Sequence, residues 1–324
     1  MSISTRPIGI FYEHPAWFKP LFKELEKRRI PFVRIQAANH QYDPAEREVP
    51  YNLVLNRVSS SAYLRGNSQG IFHSANYLAH VERLGVSVIN GTAAQEIESS
   101  KARQLELLAS LGLPFPKTRI INHVNQILPA ALALRFPIVI KLNLSGNIAS
   151  VLRFSSISNL QKAIDLHQIS LGSDHTALIQ EYIPAKDNHI VRIETLNGKF
   201  LYAVKIFTKS ESFNLRPTEL TYGSANHWSD TNSKNSIRVE AFSPSQKIVE
   251  DALRIAKTAH LDAGAIEYVT SAVNNQLYFC NIIALSNFVN DPIPVLGFDP
   301  HVDFVDYIEE RMRPIYEHEP VPVL

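Results

Sequence analysis

Two cations stand where short apolar runs stop, and a charge in such a place is held still against whatever lies beyond the strand. Lys141 closes Pro137-Ile138-Val139-Ile140-Lys141, and Arg57 sits in Asn56-Arg57-Val58-Ser59 at the end of another run. A fixed ammonium suits phosphate oxygens, which need compensating charge, and a guanidinium can fork onto a carboxylate. The plainer alternatives are a lysine reaching from a sheet end to water and, for Arg57, a surface or interdomain salt bridge. Glu267, in Gly264-Ala265-Ile266-Glu267-Tyr268, and Asn281, in Tyr278-Phe279-Cys280-Asn281-Ile282-Ile283, put oxygen donors on two successive strand patterns. Nucleophilic chemistry finds no footing. The 12 histidines are scattered without a ligand-spaced pair, and no Ser–His or Cys–His constellation is evident. The one cysteine, Cys280, excludes an internal disulfide framework and a zinc cluster built on several thiolates.

The 324 residues are 45% hydrophobic and 19% charged, with a formal charge of +1. That length implies two domains or one large α/β unit, and the apolar share is ample for a core. A near-neutral balance leaves no electrostatic footprint for nucleic acid or anionic membrane. No apolar run reaches membrane-spanning length, and Met1 to Pro7 lacks a secretory layout, so a cytoplasmic setting is expected.

Periodicity supplies the elements that must hold these side chains. Ile8–Tyr12, Phe32–Ile35, Leu53–Leu55 and Val86–Ile89 read as strands; Phe18, Leu21, Phe22 and Leu25 mark a helix face, and Tyr77 to Leu84 a second helix. The alternation predicts a mostly parallel sheet. Ser99 or Ser100 can cap a helix through Leu105, Leu108 and Leu111 that ends at Gly112. Strands follow at 117–121, 137–141, 151–154 and 176–183, with a helix capped by Ser158 among them. The turn Asn197-Gly198 joins an antiparallel hairpin, 189–196 and 199–207. Residues 208–240 read as a surface excursion. A helix at 246–260, strands at 263–270 and 276–283, and a helix at 303–312 complete the pattern.

This order of elements resembles the ATP-grasp superfamily, most closely the type that adds glutamate to a ribosomal protein. Ser100-Lys101-Ala102-Arg103 with the following helix and Leu113-Pro114-Phe115-Pro116-Lys117-Thr118 resembles the start of the first ATP lobe. The resemblance implies an α/β fold: a parallel-sheet domain at 1–95, ATP-grasp lobes at 96–183 and 184–312, and a Pro-rich tail at 313–324. It implies ATP as cofactor, with Lys101 and Lys141 on the phosphates. Gln180, Glu181, Tyr182 and Ile183 would form the adenine-reading hinge. Arg192 and Lys205, on the two hairpin strands, would both face the γ-phosphate. Glu267 and Asn281 stand at metal positions, and Arg57, Ser286 and Asn287 would line the substrate cleft.

Three departures accompany the resemblance. The ribose-binding acid is replaced by Asn188 and His189, with Asp187 the nearest carboxylate. The glycine-rich phosphate loop reads Asn143-Leu144-Ser145-Gly146-Asn147-Ile148-Ala149-Ser150, keeping only Gly146. On the second metal strand, family register puts Asn281 at an acid and Ile283 at an asparagine. Mg²⁺ depends on oxygen ligands and commonly on carboxylates, so the metal is in doubt. Asp291 is the neighbouring acid but lies beyond the strand. Cys280 is expected on the face opposite Asn281, in the core.

The preferred reading is therefore an ATP-grasp protein with weakened or lost Mg-ATP ligation. Its partners would be a nucleotide and another protein. The alternative is an active ATP-dependent carboxylate–amine ligase working through an acyl-phosphate, with a small carboxylate or amine substrate. Neither nucleic acid nor membrane is expected.

Overall fold

The computed structural model describes residues 6–14, 16–144, 151–207 and 238–312. Most of the segment read as the glycine-loop equivalent, including Gly146 and Ile148, lies outside them, as do the tail from 313 and residues 208–237.

The chain opens with β1 (Ile8–Tyr12), α1 (Lys19–Lys27), β2 (Phe32–Gln36), β3 (Leu53–Arg57), α2 (Ser68–Arg83) and β4 (Ser87–Ile89). The four strands form a parallel sheet in the order β2-β1-β3-β4, as the strand–helix alternation requires. α2 begins well before the apolar stretch that announced it, because its first turns bury Gly70 and Ser74 beside Ile71. Small polar residues turned inward leave no apolar period.

α3 (Thr92–Glu98) and α4 (Lys101–Ser110) lead into the second sheet. Ser100 caps α4, its Oγ accepting from the Arg103 N–H, and Gly112 beyond the helix takes φ +67°. The strands β5 (Thr118–Ile121), β6 (Ile138–Leu142), β7 (Val151–Phe154) and β8 (Ala177–Glu181) pair antiparallel in the order β5-β8-β6-β7. One face packs on α5 (Ile127–Leu132) and α6 (Ile157–Asp165) through Ile121, Ile138, Ile140, Leu160 and Ile179. Ser156, not Ser158, caps α6: its side chain accepts from Asn159 N–H, and Ser158 is already inside the helix.

The third sheet has the order β11-β10-β9-β12-β13, built from β9 (His189–Leu196), β10 (Lys199–Phe207), β11 (Val239–Ala241), β12 (Ala263–Thr270) and β13 (Leu277–Ile283). Asn197 at φ 50° and Gly198 at φ 68° make the tight turn between β9 and β10. The stretch read as an excursion thus closes with an edge strand, β11. α7 (Gln246–Thr258) covers one face through Ala252, Ile255 and Ala256, against Ile193, Ala203 and Ile266. The other face carries Tyr202, Val204 and Ile206 into a core shared with the parallel sheet, including Ile10, Leu55, Phe18 and Phe304. α8 (Pro292–Leu296) and α9 (Pro300–Met312) finish the described chain, α9 starting three residues ahead of its expected N-terminus. Among the described residues no helix is long and apolar enough to cross a membrane.

Candidate functional site

Four hydrogen bonds fix the first candidate, Lys101, beside the large sheet. Ser100 and Asn143 fasten the start of α4 to the end of β6: Asn143 Oδ1 accepts from Ala102 N–H at 2.9 Å and from Ser100 Oγ at 3.1 Å. One turn into α4, Gln104 acts as a rung of sheet, donating to Ile282 O at 2.9 Å and accepting from Ile282 N–H at 3.1 Å. With both ends held, Lys101 Nζ donates to Asn281 Oδ1 at 3.0 Å. Asn281 Nδ2 in turn donates to Glu267 Oε2 at 3.0 Å. Glu267 Oε1 accepts from Arg192 Nε at 2.8 Å and Nη2 at 2.6 Å, an ion pair in which both side chains are under a tenth exposed. Register explains the grouping, since Arg192, Glu267 and Asn281 are direct neighbours across β9, β12 and β13.

Lys141 approaches from β6 in the second sheet, where Nζ donates to Gln180 Oε1 at 2.8 Å and Gln180 Nε2 donates to Thr118 Oγ1 at 2.8 Å. Lys101, Lys141, Gln180, Cys280 and Asn281 line one cavity of about 10 Å³, room for a single water. Cys280 therefore does not turn away from Asn281 as strict alternation required. A bulge between Glu267 and Tyr268 pairs Tyr268 with Phe279, leaving Cys280 as the extra residue.

The electrostatics follow from burial and pairing. Burial works to raise the Glu267 carboxyl, but the Arg192 charge and hydrogen bonds, with Asn281 and Lys101, hold it below its ordinary range. Burial lowers the Lys101 ammonium against the opposing pull of Glu98 and Glu267, and brings Lys141 down to about 8. Burial pushes the Cys280 thiol up to about 12, so it is no thiolate ligand at neutral pH.

A second cluster joins the parallel sheet to the large one. Arg57, 4% exposed, donates from Nη2 to Ser286 O at 2.5 Å, with Asn287 Oδ1 at 3.5 Å. Its guanidinium lies 5.1 Å from the Phe18 ring centroid and 5.5 Å from that of Phe304. The structure thus brings Arg57, Ser286 and Asn287 together, and among the described residues Arg57 forms no salt bridge. Ser286 Oγ donates to Glu194 Oε1 at 2.5 Å. Burial pushes the Glu194 carboxyl up to about 7 and the Arg57 guanidinium down to about 10. Arg57 Nε and Glu194 Oε2 are buried without a hydrogen-bond partner among the described residues.

Other candidates stand apart. Lys205 pairs with Val191, whereas Arg192 pairs with Val204, so the two cations project from opposite faces of the hairpin and do not meet. Lys205 Nζ lies 4.7 Å from the Phe242 ring centroid instead. Glu181 accepts from Arg135 N–H and Nη2. The Tyr182 N–H is spent on Pro137 O at 2.9 Å, and Arg153 covers the Tyr182 ring at 4.1 Å. Ile183 follows β8 in a half-buried position, and Asp187 is exposed in a short turn.

Sequence reasoning missed Glu194 and Glu98. Glu194 was within reach, since it shares the Arg192 face two residues on. Glu98 was not: its oxygens accept from Ser60 Oγ and Ala284 N–H, partners remote in the chain.

The donor set does not fit a pair of Mg²⁺ ions. Glu267 is taken by Arg192 and Asn281, the Asn281 oxygen is taken by Lys101, and Ile283 is a buried hydrocarbon. Asp291 is exposed just ahead of α8 and supplies no replacement. Among the described residues no group of three His, Cys, Asp or Glu side chains is placed to hold a metal. Mg²⁺ demands several oxygens in near-octahedral array, which these side chains do not supply.

A parallel sheet followed by two antiparallel α+β lobes, with lysines converging between them, is the architecture of an ATP-grasp protein. Residues 98–287 match the RimK-like ATP-grasp domain, more than half of the chain, and the protein belongs to that family. Solved structures agree in fold. The ATP-grasp ligase PsnB, complexed with a phosphomimetic variant of its minimal precursor, Mg and ADP, superposes with a TM-score of 0.65 at 14% identity over 94% of this chain and 98% of its own. D-alanyl-alanine synthetase A from Vibrio cholerae gives 0.68 at 12% identity, covering 95% and 99%. A RimK-domain ATP-grasp protein from Sphaerobacter thermophilus gives 0.59 at 16%, covering 87% and 92%. No curated protein sequence matches the chain.

Proposed function

We propose that the protein is an ATP-grasp scaffold whose Mg-ATP ligation is weakened or lost, and that it acts as a nucleotide-binding or structural partner of another protein. The observation carrying this reading is the closed chain Arg192–Glu267–Asn281–Lys101. In it the one retained acid of the metal strands is bound by a guanidinium and an amide. Carboxyl activation by phosphoryl transfer leans on metal and cations to neutralise the migrating charge. Here a cation has taken the carboxylate that a metal would use. The single cysteine accords with a cytoplasmic setting.

The retained lysines favour a second reading, an active carboxylate–amine ligase. PsnB is solved with a precursor peptide and AMPPNP, which makes a peptide the first substrate to try. The deciding measurement is ADP release by the full chain with ATP, Mg²⁺ and panels of acids, amines and peptides. No release is expected; Mg²⁺-dependent turnover would establish the second reading. Restoring donors with Asn281→Asp and Ile283→Asn together should raise Mg²⁺-dependent ATP turnover above that of the native chain. An unchanged rate would move the cause away from the metal strand.

A further inference from the structure

Beside the neutralised Glu267, two ammonium groups remain that no carboxylate meets directly. Lys101 and Lys141 come from different elements onto one cavity, and each donates to a neutral amide oxygen, of Asn281 and Gln180. Neither forms an ion pair among the described residues. With Arg192 they make three cations against Glu267 and Glu98, and both of those carboxylates already accept hydrogen bonds. A largely buried ammonium with only neutral acceptors is less favourable than a paired one. The charge that would complete the cavity is negative.

We propose that this cavity takes a polyanion of the phosphoanhydride class without a divalent metal, and that Mg²⁺ weakens the binding. This rests on the reading that metal ligation has been lost. The amide oxygens of Asn281 and Gln180 act as stand-ins. An incoming phosphate draws each ammonium off a neutral oxygen onto a charged one, exchanging ordinary hydrogen bonds for charge-assisted ones. The cavity of about 10 Å³ must widen as this happens, and the flexible lysine stems allow it. Mg²⁺ on the ligand subtracts charge the lysines would meet, and the protein returns no oxygen to the metal in compensation.

Calorimetry on the full chain tests this at constant ionic strength, with ADP, ATP and inorganic diphosphate, each in EDTA and in excess Mg²⁺. Binding in EDTA, weakened about tenfold by Mg²⁺, is expected, the worth of one charge-assisted hydrogen bond. Diphosphate matching ADP would assign recognition to the phosphates alone, and ADP clearly tighter would add the base; either supports the proposal. Asn281→Asp, close in shape, should pair with Lys101 and lower metal-free affinity about tenfold. Lys141→Met should abolish binding and keeps the test alive if the Asn281 variant misfolds. Mg²⁺-promoted binding to the native chain overturns the proposal. So does no binding of any of the three in EDTA, which would leave the scaffold reading standing, because that reading fails only on Mg²⁺-dependent turnover.

Discussion

Glu194 is the residue whose protonation reaches furthest. Its carboxyl, 1% exposed, has Ser286 as its hydrogen-bond donor, with Arg57 and Arg192 near enough to act on it by charge. Its folded value of about 7 lies above the ordinary 4.5. The folded chain therefore holds this proton more tightly than the unfolded one. Stability falls as pH rises between those values and stays lower above them. Glu194→Gln, which can still accept from Ser286, should match the native chain near the ordinary value. At mildly alkaline pH it should be more stable, by about 3 kcal/mol at the upper end. Denaturant titrations across pH check this; parallel curves would mean that Glu194 titrates normally. Side-chain chemistry at this scale was partly legible. Lys101, Lys141, Glu267 and Asn281 were singled out through the family resemblance, and the structure gathers them. Which partners they choose depends on contacts such as Lys101 to Asn281, 180 positions apart, and no local pattern carries that.

Among the elements, the seam between β12 and β13 leaves no room for a side chain at Gly264. A Cβ added at Gly264 would sit 2.5 Å from the Ile283 carbonyl oxygen and 2.9 Å from Leu261 Cδ1. Gly264→Ala should therefore destabilise the fold by roughly 1–3 kcal/mol, read as a lower denaturation midpoint with unchanged slope. Strands and helices with a clear apolar period were readable: β1, β9, β10, β12 and α7 lie where alternation and helical spacing put them. Two kinds of feature were not. The bulge beside Glu267 inserts one residue and breaks the parity from which Cys280 was placed. Ser156 and Ser158 look alike as caps, and only the backbone at Ser156, φ −152° and ψ 161°, separates them. Lys205 shows the same limit, because its face depends on hairpin register, which pairs it with Val191.

Across the whole molecule, Arg57 couples the parallel sheet to the large one. It is buried between Phe18 and Phe304 while holding the Ser286 carbonyl, and that union continues into the shared core of Ile10, Leu55, Val204 and Tyr202. Arg57→Leu should loosen this union by roughly 2 kcal/mol. Amide exchange should quicken in β1 to β4 while α7 and its sheet face keep their protection; uniform acceleration would instead mean global destabilisation. One rim of the large sheet also has a colloidal consequence. Along the outer side of β13, the Ile282 amide and carbonyl are met by Gln104, the Phe279 N–H by Pro114 O, and the Ala284 N–H just past the strand by Glu98. A stray chain seeking to add itself as another strand would find these positions already claimed. Fibrillar association through that border is blocked at the backbone, whatever the surface charge or salt.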